Sequence, residues 1–157
     1  MPISAGGPAP DFTLPDENGT QRSLSDFRGS PVVLYFYPKD DTPGCTKEAC
    51  SFRDDYSAYE RAGVVILGVS PDTPKSHAKF KAKYHLPFTL PADEDHRICD
   101  LYDVWGLKKN YGREYYGVLR TTFLIGPDGE ILRVFENVKP AEHSAEILDA
   151  LELTKSD

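Results

Sequence analysis

Apolar residues along this chain come in short bursts separated by stretches with helix-like periodicity. Pro31-Val32-Val33-Leu34-Tyr35-Phe36-Tyr37 is a continuous apolar and aromatic run that stops at Pro38. A run of that kind, with no polar alternation, predicts a central strand covered on both faces. Residues 63–69 predict a second buried strand, ended by Ser70-Pro71. Residues 43–62 and 74–84 predict helices. A short strand at 88–90 and a short helix at 96–102 follow. Residues 118–125 and 130–135 predict a hairpin around Pro127-Asp128-Gly129, and residues 141–153 a last helix. Upstream, 12–14 and 21–24 predict a small hairpin turning near Asn18-Gly19, a strong turn signal. Residues 25–29 are a connection, and the Gly-, Ala- and Pro-rich residues 1–10 read as a loose arm.

Strands alternating with helices imply βαβ units and a mostly parallel sheet, to which the late hairpin adds antiparallel strands. The class is α/β. The element order resembles a thioredoxin-like fold: a mixed central sheet flanked by helices, with an N-terminal β-hairpin extension. There is no internal repeat, low-complexity segment or linker. With 157 residues, the expectation is a single domain over 1–157, burying roughly 70% of the unfolded chain's surface.

A hydrophobic share of 39% and a charged share of 27% are those of an ordinary soluble protein. The net charge of −7 and the lack of a basic stripe make nucleic acid and anionic membranes poor partners. The lysines between 75 and 83 alternate with apolar residues and read as a solvated helix face. No apolar run approaches the roughly 20 residues of a membrane span, and no basic segment precedes an apolar core as in a secretory signal. Three cysteines are too few, and odd in number, for a secreted disulfide framework. A reducing, cytoplasmic setting is the expectation. Asn18-Gly19-Thr20 matches a glycosylation sequon, but the turn is the preferred reading.

The chemistry concentrates where the first buried strand feeds a helix, in Tyr37-Pro38-Lys39-Asp40-Asp41-Thr42-Pro43-Gly44-Cys45-Thr46-Lys47-Glu48-Ala49-Cys50. Thr42 suits an N-cap and Pro43 the first helical position, so Cys45 lies in the first turn. Free backbone N–H groups and the helix dipole there favour thiolate over thiol, the form a cysteine nucleophile needs. Cys45, Ala49, Phe52, Tyr56 and Tyr59 share one helical stripe, so Cys45 looks towards the core. Cys50 lies roughly 140° away on another face. In a regular helix their Cα atoms are about 8.6 Å apart, beyond the roughly 7 Å a disulfide tolerates. The two can join only if the first turn unwinds. The bland alternative is a pair of unreactive thiols.

The spacing is not the C-x-x-C of dithiol redox motifs, and no second Cys/His group completes a zinc site. His77, His85, His96 and His143 stand isolated in sequence and read as structural or exposed. Asp40 and Asp41 work against a thiolate unless they point to solvent or a cation offsets them. Lys39 and Lys47 are local candidates for that cation. Arg120, within a mainly apolar stretch, is the distant one: it either reaches the thiolate or ends at the surface.

Pro38, Thr42 and Cys45 in a P-x-x-x-T-x-x-C arrangement, with a distant Arg120 before an apolar strand, resemble the peroxiredoxin active site. A second cysteine five residues after the first is similar to the peroxiredoxin Q (bacterioferritin comigratory protein) subfamily. The resemblance extends through residues 63–71, Val104-Trp105-Gly106 and 120–129. It implies that Cys45 is the peroxidatic cysteine, oxidised to a sulfenic acid, and that Cys50 resolves it as an intramolecular disulfide. It implies that thioredoxin or a similar thiol donor reduces that bond, with hydrogen peroxide and alkyl hydroperoxides as substrates. It further implies that Thr42 hydrogen-bonds peroxide and sulfur, Arg120 holds the thiolate and polarises the peroxide, and Pro38 shields the pocket. Backbone N–H groups of Gly44 and Cys45 donate to peroxide oxygens, and Glu48 orients Arg120. A hydroxyl, a guanidinium fork and backbone amides can stabilise charge on both oxygens with no metal, haem or other cofactor. Cys99 has no family role and reads as a packing residue.

Three rivals remain open on the sequence. A thioredoxin-like disulfide reductase would show turnover on insulin without peroxide consumption. A non-catalytic redox sensor would share the cysteine chemistry and differ in rate and partner. A holdase-like protein would keep its role without Cys45. The residues after Leu151 are too few for the C-terminal resolving arm of dimeric relatives, so a monomer is expected.

Overall fold

The computed structural model describes residues 2–152; the end of the predicted last helix, at position 153, lies outside them. β1 (Thr13–Pro15) and β2 (Gln21–Ser23) form the predicted N-terminal hairpin, and a 3-10 turn (Leu24–Phe27) replaces the irregular connection. β3 (Val32–Phe36) is the long buried run. The single helix predicted over 43–62 is two: α1 (Pro43–Asp54) and α2 (Tyr56–Arg61). They break at Asp55 (φ −98°, ψ 6°), whose carboxylate accepts a hydrogen bond from Ser144 Oγ at 2.7 Å. A side chain tied to another element offers the backbone an alternative to the helical ladder.

β4 (Val65–Val69) and α3 (Pro74–Tyr84) match expectation. Thr73 caps α3, accepting from Ser76 N at 3.0 Å, and His85 ends it in the left-handed region (φ 54°). The strand expected at 88–90 shrinks to an isolated bridge between Thr89 and Leu67. Pro87 and Pro91 flank that segment, and neither can donate to a ladder. α4 (Arg97–Leu101) starts on Asp93, whose carboxylate accepts from the backbone N–H of Ile98 and Cys99.

β5 (Trp105–Asn110) and β6 (Arg113–Val118) form a hairpin that the sequence pattern does not announce. Most of its residues are exposed or half-buried, so neither face shows a hydrophobic alternation. Its two turn residues, Tyr111 (φ 51°) and Gly112 (φ 77°), are both left-handed, as a tight hairpin turn requires. Val118 therefore belongs to β6 rather than to the strand predicted at 118–125, and Leu119 and Arg120 step out of the ladder. β7 (Thr121–Ile125), β8 (Ile131–Phe135) and α5 (His143–Ala150) complete the chain.

The main sheet has the order β4-β3-β7-β8. β3 runs parallel to β4 and antiparallel to β7, which runs antiparallel to β8. Period-two alternation along β3 splits the core. Val33, Tyr35 and Tyr37 join α1, α2, α3 and α5 on one face. Val32, Leu34 and Phe36 join the N-terminal hairpin, α4 and the root of the β5–β6 hairpin on the other. Packing across β3 and β4 is close: a Cβ on Gly68 would lie 2.7 Å from Tyr35 Cζ.

The expected loose arm is instead docked. Gly6 N–H donates to Ile131 O and Ile131 N–H to Gly7 O, each at 2.9 Å, and Ala9 N–H donates to Gly129 O at 2.8 Å. β8 is the outer strand of the sheet, and its backbone groups need partners.

Candidate active site

Pro38 to Asp41 turn the chain from the end of β3 into α1. Thr42 is the N-cap, with extended backbone (φ −100°, ψ 156°), and Pro43 takes the first helical position. The Thr42 hydroxyl makes no side-chain cap; it donates to Lys39 O at 2.9 Å, leaving its lone pairs to accept. Cys45 is 2% exposed and packs with Ala49 and Phe52 on the inward stripe.

Arg120 leaves the sheet between β6 and β7 and points at this helix start. Its Nη2 donates to Cys45 Sγ at 3.2 Å, and its Nη1 to Glu48 Oε1 at 2.7 Å. Of the two readings for Arg120, the structure has the inward one. Burial works against the guanidinium charge, but Glu48 and Cys45 together outweigh it and raise its pKa. Gly44 makes room: a Cβ there would lie 3.3 Å from Arg120 Nη2 and 3.7 Å from Pro140 Cγ. Pro140, on the loop after β8, carried no signal in sequence.

Glu48 is fully buried, and its Oε2 has no hydrogen-bond partner among the described residues. Burial pushes its carboxyl up to about 7, with the charge and hydrogen bond of Arg120 pulling the other way. The Tyr35 hydroxyl is also buried and has no hydrogen-bond partner among the described residues. Burial first, then the negative charges of Glu48 and Cys45, lift its pKa well above the ordinary value.

The acidic pair before the helix is dealt with from α3. Asp40 Oδ2 meets His77 Nδ1 at 2.7 Å and Ser76 Oγ at 2.8 Å, and its Oδ1 accepts from Tyr37 OH at 2.6 Å. Asp41, left-handed at φ 57°, accepts from Lys83 Nζ and Tyr84 OH, each at 2.8 Å. Both carboxylates are thus tied to α3, and the cation at the sulfur is Arg120 rather than Lys39 or Lys47, both exposed. The ligand atoms of Asp40, Asp72 and His77 lie within 4.8 Å of one another. Each of the three also makes hydrogen bonds within the protein.

Cys50 sits half-buried on the same intact helix, its thiol pKa raised by burial. All three cysteines are free thiols. Cys99 is fully buried on the other side of the sheet, and burial, then the charge of Asp93, push its pKa far up. It is the packing residue expected. Of the histidines, His77 and His143 are buried and hydrogen-bonded. His85 is exposed, and His96 stacks on Trp105 with ring centroids 3.9 Å apart.

Beside Arg120 a cavity of about 240 Å³ opens, walled by Lys108, Leu119, Thr121, Glu136, Asn137 and Val138 among others. Lys108, which sequence reading missed, donates to Val118 O at 2.9 Å. Burial and then the charge of Arg120 lower its pKa. It reaches this place only because the unannounced β5–β6 hairpin exists.

Comparison with known proteins gives a consistent result. The family model described as AhpC/TSA family matches residues 5–134. The peroxiredoxin Bcp of Bacillus subtilis (strain 168) is 48% identical over 151 residues, covering 96% of each chain. The solved bacterioferritin comigratory protein of Xanthomonas campestris, described in terms of its alkyl peroxide reduction activity, is 40% identical with a TM-score of 0.84 over 90% of each chain. A mutant of the Xylella fastidiosa PrxQ is 35% identical with a TM-score of 0.91 over 97% of each chain. These neighbours share the thioredoxin-like fold, and this chain has it too.

Proposed function

The chain belongs to the AhpC/TSA family, among its Bcp (PrxQ) peroxiredoxins, and is a thiol-dependent peroxidase; from that premise we propose that Cys45 is the peroxidatic nucleophile and Cys50 its resolving partner. The observation that carries the reading is the Arg120 fork, with one arm on Cys45 Sγ and the other on Glu48 Oε1. A guanidinium so held stabilises the thiolate and stands ready for the charge that develops on a peroxide oxygen.

In the first step the Cys45 thiolate attacks one oxygen of ROOH. The O–O bond breaks, the sulfur becomes a sulfenic acid, and the alkoxide takes up a proton and leaves as ROH. The sulfur loses two electrons and the peroxide gains them. Free N–H groups in the first turn of α1, at Gly44 and Cys45, and the Thr42 hydroxyl are the further donors and acceptors for the peroxide, with Pro38 shielding it. In the second step Cys50 attacks the Cys45 sulfenic acid, forming the disulfide and releasing water. Because α1 is intact and holds the two sulfurs on different faces, its first turn must unwind. A dithiol reductant of the thioredoxin kind then returns both cysteines to thiols. Hydrogen peroxide and alkyl hydroperoxides are the substrates. The enzyme works as a single-domain cytoplasmic monomer over 1–157. No helix among the described residues is long and apolar enough to cross a membrane.

The test is stopped-flow oxidation of the reduced protein by one equivalent of hydrogen peroxide, followed by peptide mapping. Rapid oxidation that ends in a Cys45–Cys50 bond and is lost in Cys45→Ser is the expected result. Oxidation no faster than that of a free thiol, or independent of Cys45, overturns the assignment.

A further inference from the structure

The turn that must unwind for Cys45 to reach Cys50 opens α1 at Pro43, and Asp40, three residues before it, is held by four hydrogen-bonded contacts. Its carboxylate takes hydrogen bonds from Tyr37 at the end of β3 and from Ser76 in the first turn of α3, and it pairs with His77. Its own N–H donates to Asp72 Oδ2 at 2.8 Å. His77 is fully buried, and its other ring nitrogen, Nε2, lies 3.0 Å from Pro91 O. A carbonyl only accepts, so Nε2 carries a hydrogen. One further proton lies between Nδ1 and Asp40 Oδ2, since two bare lone pairs at 2.7 Å would repel. The contact is therefore a hydrogen bond closed off from solvent, with His77 fully buried and Asp40 nearly so. Asp41, the next residue, is bound to Lys83 and Tyr84 at the far end of the same helix. α3 thus grips the chain immediately upstream of the reactive turn at both of its ends.

We propose that His77 is a positioning residue which, through Asp40, latches the start of α1 in the folded, peroxide-reactive form and so sets how readily Cys45 escapes towards Cys50. The proposal rests on the Cys45–Cys50 resolution reading and adds to it the control of that step. Once Cys45 is a sulfenic acid, two reactions compete. In one, Cys45–SOH and Cys50–SH give the disulfide and water. In the other, Cys45–SOH and a second ROOH give the sulfinic acid and ROH, with two electrons passing from sulfur to peroxide. The first requires the unwound form and the second the folded form. A stronger latch therefore makes the enzyme more prone to over-oxidation, and a weaker one protects it.

Two near-isosteric substitutions separate the contacts of the ring. In His77→Asn the amide nitrogen is as many bonds from Cβ as Nδ1, so the donor to Asp40 is kept. In His77→Gln it is as many bonds from Cβ as Nε2, so the donor to Pro91 O is kept and Asp40 is released. Ser76→Ala removes a second, half-buried tether from Asp40 at little risk to folding. The readout is the ratio of Cys45 sulfinic acid to Cys45–Cys50 disulfide, by mass spectrometry, across a hydrogen peroxide titration with a reducing system present. Amide hydrogen exchange at residues 41–46 of the reduced proteins accompanies it.

Loss of one buried hydrogen bond shifts such an equilibrium by up to about tenfold. We expect His77→Gln to lower the sulfinic fraction per turnover by about that factor and to speed exchange at 41–46. Ser76→Ala should move both the same way by less, and His77→Asn should stay near the parent. Unchanged ratios in His77→Gln and Ser76→Ala, or equal changes in His77→Asn and His77→Gln, overturn the latch. If His77→Gln does not fold, Ser76→Ala decides alone. Absence of any Cys45–Cys50 bond in the parent protein would mean that the resolution reading has failed. A bond that forms with equal partitioning in every variant would mean that only the latch has.

Discussion

Replacing Glu48 by Gln should remove a loss of stability that this carboxyl brings as pH rises from 5 to 7. Glu48 is fully buried, with Arg120 on one oxygen and no partner on the other among the described residues. Burial raises its carboxyl from the ordinary 4.5 to about 7. In the unfolded chain the same group releases its proton near the ordinary value. Between those two pH values the folded protein holds a proton that the unfolded chain has lost, so this group's contribution to stability is complete below pH 4.5 and fades as pH rises through 7. At about 1.4 kcal/mol per pH step, the difference amounts to about 3 kcal/mol at most. His143, its pKa lowered chiefly by burial, works the other way: stability is lost as pH falls below its ordinary range. Only the difference between parent and variant isolates Glu48. The assay is urea unfolding of both proteins under reducing conditions at several pH values from 5 to 8. The parent should lose stability relative to Glu48→Gln as pH rises, by about 2–3 kcal/mol across the range. A difference that stays constant across it would refute the reasoning and place an ionised Glu48 in the resting enzyme.

Four further outcomes follow from the geometry. Arg120→Met removes the donor at 3.2 Å from Cys45 Sγ, and stopped-flow should show peroxide reacting about a hundredfold or more slowly. Cys50→Ser should yield Cys45 sulfinic acid and no intramolecular disulfide, because Cys99 is buried across the sheet; a Cys45–Cys99 bond in the peptide map would contradict this. Cys99→Ser should leave turnover unchanged in a coupled peroxidase assay. Gly68→Ala places a methyl 2.7 Å from the Tyr35 ring. It should cost about 2 kcal/mol, or roughly 4–8 °C in Tm by calorimetry.

The parts of this molecule that could be read in advance are those whose neighbours are set by one strong local rule. β3 and β4 are apolar throughout because both faces are covered, and α3 announces itself by Thr73 and Pro74 at its start. Cys45 at a helix N-terminus follows from Thr42 and Pro43. What escaped is decided by distant partners. Nothing near Asp55 shows that Ser144 will draw its carboxylate out of the helix. The β5–β6 hairpin has both faces largely in solvent, so no alternation marks it, and with it Lys108 escaped. Whether Arg120 turned inward depended on Glu48, 72 residues away in sequence. The fate of Asp40 depended on His77, which looked isolated until α3 was laid against β3. Pairings across the fold carry no periodicity along the chain.

The docked N-terminal arm has a consequence for how the molecule keeps company in a crowded solution. The outermost strands of an open sheet are natural templates for a foreign strand. Here one margin, β8, is met at Ile131 by Gly6 and Gly7, and the other, β4, is bridged from outside at Leu67 and Ser70 by Thr89 and Ala92. Neither covering segment is itself a strand; the first is rich in glycine and proline and the second carries Pro87 and Pro91, so neither offers a fresh template. The covered stretch of each margin is thereby closed to growth. Residues 2–9, part of what reads in sequence as a loose arm, are what a truncation should spare if the protein is to stay dispersed.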